Sequence, residues 1–188
     1  MQPNQDLAPH DALLVVDVQN DFCPEGALPI PEGDAVVPAI NPWIQAAADQ
    51  NLLLLFSRDF HPLLHPSFIP QGGQWPVHCV QDTWGARFHP ELLMPDSGIV
   101  VTKGVRFDQD QNSAFDQTGL DHLLSKQQVS TLWVAGLALD VCVQATVLDA
   151  LDLGFNVKLL VQATRAVSVD SGKAALQSMQ QSGAELIF

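Results

Sequence analysis

Residues 132–154, LWVAGLALDVCVQATVLDALDLG, join a short apolar run to a segment with helical periodicity. The run from Leu132 to Val134 is typical of a buried strand, and Val141 to Leu153 of a helix. Asp140 is a candidate N-cap of that helix, and Gly154 is a candidate terminator. A strand followed closely by a helix is the repeating unit of parallel sheets, so this segment predicts an α/β fold.

The same unit recurs along the chain. Five more apolar runs predict strands, at Ala12 to Val16, Leu52 to Phe56, Ile99 to Val101, Val157 to Val161 and Leu186 to Phe188. Two more segments predict helices, at Asp121 to Gln127 and Val169 to Gln181. Asn41 followed by Pro42 resembles an N-cap with proline at the first helical position. Six strands that alternate with helices predict a parallel sheet covered on both faces, a three-layer α/β/α architecture.

The composition is typical of one globular domain. The chain has 188 residues, of which 47% are hydrophobic and 15% charged, and no repeat or linker divides it. We therefore predict a single domain over residues 1–188, as a monomer or a homo-oligomer. No apolar run approaches the roughly 20 residues of a membrane-spanning helix. The first ten residues lack the basic start and apolar run of a secretory signal, so a cytoplasmic location is expected.

Charge and cysteine content narrow the possible partners. With 21 acidic against 8 basic residues the formal net charge is -13, which repels phosphate backbones and anionic lipid surfaces. Neither nucleic acid nor a membrane is an expected partner, and a small-molecule substrate is. The three cysteines, Cys23, Cys79 and Cys142, are odd in number and lack paired spacing, which predicts reduced thiols rather than a disulfide framework.

Reactive residues follow four of the predicted strands. Asp17 follows the first, Asp59 and His61 the second, Lys103 the third, and Cys142 lies in the helical turn beyond the fourth. Ligands of open parallel sheets bind beyond the carboxyl ends of the strands, and helix N-termini stabilise thiolates. Alone, Cys142 is more often a small buried apolar residue, Asp17 a cap and Lys103 a solvated cation. Together they supply the nucleophile, base and cation that acyl transfer requires.

A candidate metal site lies between the second and third strands. The interval from Ser57 to Ser97 is rich in Pro, Gly, His and Trp, and loops of this length are usually functional. Asp59 and His61 are two residues apart, so in an extended segment both face one metal, and His78 is a third donor. Imidazole and carboxylate donors suit Zn, Fe or Mn and leave room for water or substrate. The alternative is that these side chains only form hydrogen bonds within a polar loop.

Five short motifs carry a family resemblance. They are Asp17-Val-Gln-Asn-Asp-Phe22, Asp59-x-His61, Trp75-Pro-x-His-Cys79, Thr102-Lys-Gly104 and Gly136-Leu-Ala-Leu-Asp-Val-Cys-Val143. In this order they resemble the nicotinamidases of the isochorismatase-like hydrolase superfamily, over nearly the whole chain. The resemblance implies a Rossmann-like sheet in the order 3-2-1-4-5-6, in which the first and fourth strands are neighbours.

The resemblance also implies the reaction. A nicotinamidase is an amidohydrolase that converts nicotinamide to nicotinate and ammonia through a cysteine thioester, in NAD salvage, and pyrazinamide is an expected second substrate. By this resemblance Asp17 is the general base, Cys142 the nucleophile, and Lys103 holds the charges of the site. Backbone N–H groups of Ala138 and Cys142 would form the oxyanion hole, with a cis peptide between Leu137 and Ala138.

A divalent metal completes the implied site. Zinc is the foremost expectation, with iron or manganese as alternatives, and the ion would orient the pyridine nitrogen. Asp59, His61 and His78 are its implied ligands. For a fourth ligand, Ser67 ranks slightly ahead of His65, which is chemically stronger but depends on how the loop aligns.

The remaining implied features concern the substrate pocket. Phe22 and Trp75 correspond to aromatic walls around the substrate ring. Leu139 stands where relatives usually carry threonine, so one hydroxyl near the oxyanion site is lost. The rival interpretation is another amidohydrolase of the superfamily, acting on a carbamoyl or ureido substrate without a metal. A noncatalytic metal-binding or ligand-sensing protein on the same scaffold is a further alternative, although all three catalytic side chains are present.

Overall fold

The computed structural model describes residues 3–188. The strands are β1 (Asp11–Val16), β2 (Leu53–Asp59), β3 (Ile99–Lys103), β4 (Thr131–Leu137), β5 (Asn156–Arg165) and β6 (Glu185–Ile187). The α-helices are α1 (Pro3–Asp6), α2 (Val36–Asp49), α3 (Leu120–Lys126), α4 (Gln144–Asp152) and α5 (Val169–Gln181). Three 3₁₀ turns lie at Asn20–Phe22, Gly33–Ala35 and Ile69–Gln71, and a π-helical turn, Leu139–Val143, leads into α4. None of these helices is long and apolar enough to cross a membrane.

The six strands form one parallel sheet in the order β3-β2-β1-β4-β5-β6. This confirms the predicted fold class and strand order. β1 pairs with β2 on one side and with β4 on the other, so the order of the strands reverses between β1 and β4. A crevice opens beyond the carboxyl ends of neighbouring strands at such a reversal, and it is where ligands of this class of sheet bind.

Helices cover both faces of the sheet, as predicted. All six residues of β1 are buried, because this strand lies at the centre of the sheet between two apolar layers. Leu13 and Val15 belong to the apolar cluster that includes the buried face of α2. Leu14 and Val16 belong to the opposite cluster, with residues of α3, α4 and α5. The alternation follows from the two-residue period of a strand, and it explains why the sequence shows a continuous apolar run there.

Four of the six predicted strands are too short at their carboxyl ends. β2 continues to Asp59, β3 to Lys103, β4 to Leu137 and β5 to Arg165, whereas the apolar runs stop at positions 56, 101, 134 and 161. The added residues are polar in β2 and β3, and in β4 they include Gly136, so hydrophobic periodicity does not detect them. Asp59 and Lys103, the last residues of β2 and β3, lie at the crevice.

The interpretation of Asn41 and Pro42 as a helix start is wrong. α2 begins at Val36 and contains Pro42 in its interior. The proline ring lies on the exposed side of the helix. Asn41 contacts another segment instead: its amide nitrogen donates to the Glu91 carbonyl at 2.8 Å, and its amide oxygen accepts from Leu93 N–H at 2.9 Å. The asparagine therefore ties the helix to the end of the long loop.

Asp140 is not the N-cap of its own helix. Ala138 precedes the π-helical turn, and no side chain caps that turn. The Asp140 carboxylate instead accepts from Val167 N–H at 2.9 Å and from the Ser171 hydroxyl, so it holds the start of α5. Gly154 does follow the end of α4, with a φ of 91° in the left-handed region that favours glycine.

Candidate active site

The ammonium group of Lys103 is the centre of the crevice. It lies at the end of β3 and is completely buried. Its Nζ is 2.7 Å from Asp17 Oδ2, 2.6 Å from Asp59 Oδ1 and 3.5 Å from Cys142 Sγ. Asp17 follows β1, Asp59 ends β2, and Cys142 lies in the π-helical turn after β4. The sheet therefore brings together the residues that the strand-end rule singled out.

Asp17 has one carboxylate oxygen available as a proton acceptor. Its Oδ1 accepts a hydrogen bond of 2.6 Å from the Ser57 hydroxyl. Its Oδ2 contacts the ammonium of Lys103 but accepts no directed hydrogen bond from the described residues. Complete burial raises the pKa of Asp17 above its ordinary value, and Lys103 opposes that shift. Asp17 therefore accepts a proton more readily than an exposed aspartate does, and Oδ2 is the oxygen available to receive it.

Cys142 is a protonated thiol in this environment. Burial raises its pKa well above the ordinary value, Lys103 opposes this, and the carboxylates of Asp17 and Asp59 raise it further. The expectation that the helix terminus maintains a thiolate is therefore not supported, because burial and two neighbouring carboxylates outweigh one cation. Lys103 itself remains charged: burial lowers its pKa, but the same two carboxylates raise it well above the ordinary value. The thiol needs a base to be activated.

Asp59, His61 and His78 form a group that fits a metal ion. All three are buried, and one donor atom from each lies within 4.8 Å of the others. The Nδ1 atoms of His61 and His78 are each 2.8 Å from a backbone carbonyl, of Gly104 and Pro76 respectively. A carbonyl only accepts hydrogen bonds, so both Nδ1 atoms carry the proton. Each ring can therefore offer its Nε2 atom to a metal, as histidines that bind metals do, and the Nε2 atom of His61 lies 3.7 Å from Asp59 Oδ2.

The electrostatics of this group also suit a cation. Although burial opposes the shift, Lys103 and His61 lower the pKa of Asp59 well below its usual range, so the carboxylate is ionised. Burial lowers the pKa of His78, which favours the neutral imidazole that binds metals. The pKa of His61 is raised, because Asp59 outweighs the effect of burial. One carboxylate and two imidazoles make up a donor set that suits Zn²⁺, Fe²⁺ or Mn²⁺ and leaves coordination positions open.

His65 and Ser67 interact with each other beside this group. The Ser67 hydroxyl is 2.7 Å from His65 Nδ1, and the His65 and His61 rings lie with their centroids 4.1 Å apart and their planes tilted by 35°. Burial, with His61 as the next cause, lowers the pKa of His65 to about 4, so its ring is neutral. Its Nε2 atom is buried and has no partner among residues 3–188. The structure does not test Ser67 as a fourth ligand, but it does show that the serine hydroxyl is already engaged by His65.

Glycine at position 104 permits the placement of His61. Its φ of 71° lies in the left-handed region that favours glycine. A β-carbon at this position would overlap the His61 ring. The Gly104 carbonyl also accepts the Nδ1 proton of His61. The glycine after Lys103 is therefore needed to keep a metal-binding ring next to the end of β3.

A pocket opens over the two groups. Its empty volume is about 390 Å³, which includes the open space at its mouth. It is lined by Phe22, Leu28, Ile30, Asp59, His61, Trp75, His78, Asp110, Asn112, Ala138, Val141, Cys142 and Val167. The two predicted aromatic walls and the nucleophile thus line the same pocket as the three metal-binding candidates. Asp17 and Lys103 are completely buried close to Cys142.

Comparison with known proteins decides the family. Residues 11–187 match the isochorismatase domain. The chain belongs to the isochorismatase family. It is 38% identical to a nicotinamidase from Escherichia coli, an alignment that covers 94% of this chain and 92% of the relative. The family match over residues 11–187 extends from β1 to β6, so it includes the whole sheet and the crevice at its carboxyl edge.

Two solved structures of the same family are also similar. A pyrazinamidase of Pyrococcus horikoshii in complex with zinc superposes with a TM-score of 0.92 at 39% identity, covering 95% of this chain and 99% of that chain. The PnC1 protein of L. infantum, solved in complex with nicotinate, superposes with a TM-score of 0.85 at 35% identity, covering 94% and 91%. Both therefore share the overall fold of this chain.

The segment around the expected oxyanion hole has the backbone feature that the resemblance implied. The peptide between Leu137 and Ala138 is cis, as the resemblance implied. Ala138 and Cys142 both line the pocket, and their roles as oxyanion donors stay predictions. Leu139, in place of the usual threonine, is buried in the apolar cluster that contains α4 and α5. It is not among the described residues that line the pocket, so this departure changes the packing behind the site.

Sequence reasoning missed six residues of the pocket wall, namely Leu28, Ile30, Asp110, Asn112, Val141 and Val167. The positions of two of them in the sequence could have indicated a place in the pocket. Val141 directly precedes the nucleophile, and Val167 follows the carboxyl end of β5, where the strand-end rule applies. The other four lie in irregular segments after β1 and β3. Their periodicity carries no information, because only the tertiary fold brings these loops over the crevice.

Proposed function

We propose that this protein is a single-domain nicotinamidase, which hydrolyses nicotinamide to nicotinate and ammonia through a thioester on Cys142. One observation carries the proposal. The Lys103 ammonium contacts the Asp17 base, the Cys142 thiol and Asp59, and Asp59 also belongs to the metal-binding group. A nucleophile for amides and a group that recognises a ring nitrogen are thus built into one pocket. The relatives named nicotinamidase or pyrazinamidase support the same reaction.

The first half of the reaction forms the thioester. Asp17 Oδ2 takes the thiol proton as Cys142 Sγ attacks the carboxamide carbon, so the high pKa of the thiol is overcome only during the attack. The carbonyl oxygen becomes an oxyanion, for which Ala138 and Cys142 N–H are the proposed donors. Asp17 then gives its proton to the amide nitrogen, the carbon–nitrogen bond breaks, and ammonia leaves. The Lys103 ammonium stabilises the Asp17 carboxylate whenever it is ionised.

The second half releases the acid. Asp17, again a carboxylate, takes a proton from water, whose oxygen attacks the thioester carbon and forms a second oxyanion. The intermediate collapses by breaking the carbon–sulfur bond, and the departing Cys142 sulfur takes the proton back from Asp17. Nicotinic acid leaves with the second proton of the water and ionises to nicotinate in solution, and both side chains return to their starting protonation states. One carboxylate therefore serves both halves of the reaction.

Asp59, His61 and His78 are the proposed ligands of a divalent metal, which we propose to be zinc, with iron or manganese as alternatives. When bound, the ion supplies an open coordination position for the pyridine nitrogen and so orients the ring. The donor set supports this assignment, as does the zinc complex of the P. horikoshii pyrazinamidase. Ser67 was the favoured fourth ligand from sequence, but the unpartnered Nε2 of His65 makes this histidine the stronger candidate.

The pocket walls favour a flat aromatic amide. Phe22 is buried and its ring lies 5.5 Å from the His78 ring, while Trp75 lines the same pocket. Aromatic walls suit the two faces of a six-membered ring. Pyrazinamide, which carries the corresponding ring nitrogen, should also be a substrate. We place the enzyme in the cytoplasm, in NAD salvage, where the three free cysteines stay reduced.

The decisive experiment measures ammonia release by the purified, zinc-loaded protein. Nicotinamide should be hydrolysed much faster than benzamide, whose ring lacks the nitrogen, and Cys142→Ala should abolish turnover of both. The variant should keep the thermal unfolding temperature of the wild type. Faster release of ammonia from a carbamoyl or ureido compound than from nicotinamide would establish the rival amidohydrolase instead. Full nicotinamidase activity in the metal-free protein would contradict the assignment of the three ligands.

A further inference from the structure

Gln19 and Asp21 are two buried polar residues with no part in the proposed chemistry. They lie between the base Asp17 and the wall residue Phe22 in the motif DVQNDF. Gln19 is fully buried and Asp21 is 8% exposed. Burying a polar side chain costs free energy unless hydrogen bonds compensate for the loss of water. All the hydrogen bonds of these two side chains are made with backbone groups of other segments, which indicates that they hold those segments in place.

Gln19 holds the backbone of Asp59 on both sides. Its Nε2 donates to the carbonyl of Asp59 at 2.7 Å and to the carbonyl of Ala86 at 2.9 Å. Its Oε1 accepts from Asp59 N–H at 2.8 Å. Asp59 is the last residue of β2, and its carboxylate faces Lys103 with one oxygen and His61 with the other. The amide of Gln19 therefore sets the orientation of a carboxylate that has two partners.

Asp21 holds the peptide next to His78. Its Oδ2 accepts from Cys79 N–H at 2.6 Å, and its Oδ1 accepts from Ala27 N–H at 3.0 Å. The carbonyl of Cys79 in turn accepts from His61 N–H at 2.9 Å. One residue thus connects Asp21 to both histidines, to His78 through the chain and to His61 through a hydrogen bond. Cys79 has a φ of 44°, which is unfavourable for a residue with a β-carbon and is maintained by its surroundings.

The surroundings of Asp21 show that its carboxylate is specifically accommodated. Among residues 3–188 no lysine, arginine or histidine forms an ion pair with it. A β-carbon at Gly85 would overlap its carboxylate, and Asp21 N–H donates to the Gly85 carbonyl at 3.1 Å. Both oxygens accept backbone N–H groups. An asparagine has only one acceptor oxygen, so it cannot reproduce both bonds.

We propose that Gln19 and Asp21 are positioning residues of the metal-binding group, Gln19 for Asp59 and Asp21 for His61 and His78 through Cys79. Partners of this kind orient metal ligands, and their loss typically weakens metal binding by about 10- to 100-fold. The inference rests on the proposed function only in that the group binds a divalent metal. It does not depend on nicotinamide being the substrate.

The test compares three variants of the full-length protein. Asp21→Asn removes one of the two acceptor oxygens. Gln19→Glu keeps an acceptor for Asp59 N–H, but it replaces the Nε2 donor with a carboxylate oxygen that repels the carbonyls of Asp59 and Ala86. Asp11→Ala is the control for the loss of buried hydrogen bonds far from the metal-binding group: Asp11 is 7% exposed, and its Oδ2 accepts from Trp133 Nε1 at 2.8 Å and Ala8 N–H at 3.0 Å, at the opposite end of β1. Zinc affinity is measured by competition with a chromophoric chelator. The visible spectrum of the Co²⁺-loaded protein reports ligand geometry.

We expect Asp21→Asn and Gln19→Glu to lose about 10- to 100-fold in zinc affinity and to change the Co²⁺ spectrum, with Asp11→Ala at the wild-type value. Wild-type zinc affinity in either folded variant would refute the role of that residue. An equal loss in Asp11→Ala would show a general effect of destabilisation. Failure of Asp21→Asn and Gln19→Glu to fold would show that the two residues serve folding. Each of these outcomes overturns the proposal. A wild-type protein that binds zinc but does not hydrolyse nicotinamide would refute the proposed function alone.

Discussion

Replacing Lys103 with methionine removes the cation from the centre of the site while keeping a long apolar side chain. At an effective dielectric constant of about 20, its contacts of 2.7 and 2.6 Å with Asp17 and Asp59 are each worth about 6 kcal/mol before desolvation. Desolvation of the buried ions offsets several kcal/mol of this attraction. Removal of one partner from a buried pair typically costs about 3 to 5 kcal/mol, and we expect that loss in the free energy of unfolding at about pH 8.

The loss should depend on pH. Without Lys103, the carboxylates of Asp17 and Asp59 lie within 4.8 Å of each other, and their repulsion is about 3.5 kcal/mol at the same dielectric constant. Repulsion raises the pKa of the pair in the folded variant, so its stability falls as pH rises through the folded pKa. In the wild type Lys103 lowers the pKa of Asp59 despite burial, so that contribution stays intact above the ordinary aspartate pKa and is lost only as pH falls below it. The stability difference should therefore shrink towards about pH 5, because the carboxylate pair of the variant takes up a proton there and its repulsion is relieved.

Urea unfolding of chelator-treated protein at about pH 8 and about pH 5 measures both effects. Lys158→Met is the control, because Lys158 is partly exposed and its ammonium lies 3.8 Å from Glu185, a pair worth about 1 kcal/mol or less. Lys103→Met should also lack activity at neutral pH. Without the cation, the carboxylates of Asp17 and Asp59 repel each other and share a proton, whereas Asp17 must be unprotonated to act as the base. A stability loss equal at both pH values, or no larger than that of the control, would refute the electrostatic role of Lys103.

Three further changes separate the roles of the other residues. Asp17→Asn should lower kcat by roughly 10²- to 10⁴-fold while zinc affinity stays at the wild-type value; near-normal turnover would remove Asp17 from its role as base. His61→Ala should lower zinc content and raise KM for nicotinamide together, while alkylation of Cys142 continues; unchanged zinc content would exclude His61 as a ligand. His65→Ala should weaken zinc binding more than Ser67→Ala, and the reverse order, measured by chelator competition, would restore the serine as the ligand.

The sheet and the strand-end residues could be predicted from the sequence because both follow from local patterns. Each apolar run marked a strand, and the residue types after β1 to β4 identified Asp17, Asp59, Lys103 and the region of Cys142 before any geometry was known. The adjacency of β1 and β4 came from the family resemblance. It has no local signal, since strand order depends on the crossover connections rather than on any one segment.

The protonation states and the loop contacts could not be predicted. Cys142 was expected to be a thiolate because its position in the helix is visible in the sequence, whereas its burial between two carboxylates is not. The pairing of His65 with Ser67 and the hydrogen bonds of Asp21 with Ala27 and Cys79 join residues whose contacts depend on loop conformation. Side-chain hydrogen bonds of this kind have no periodicity, so they become visible only in three dimensions.

The two halves of the site are held by different means. Asp17 and Lys103 stand at strand ends, where the backbone ladder fixes them: Asp17 N–H donates to the Ser57 carbonyl at 3.1 Å, and Lys103 is in register with Asp59. The histidines lie in the long loop, where His61 has only an isolated bridge to Val80. A loop has no ladder to supply this accuracy, so side chains must supply it. Buried polar residues of the segment that follows Asp17 meet this requirement, because that segment contacts the loop: Asn20 N–H donates to the Arg87 carbonyl at 2.9 Å and Asp21 N–H to the Gly85 carbonyl at 3.1 Å.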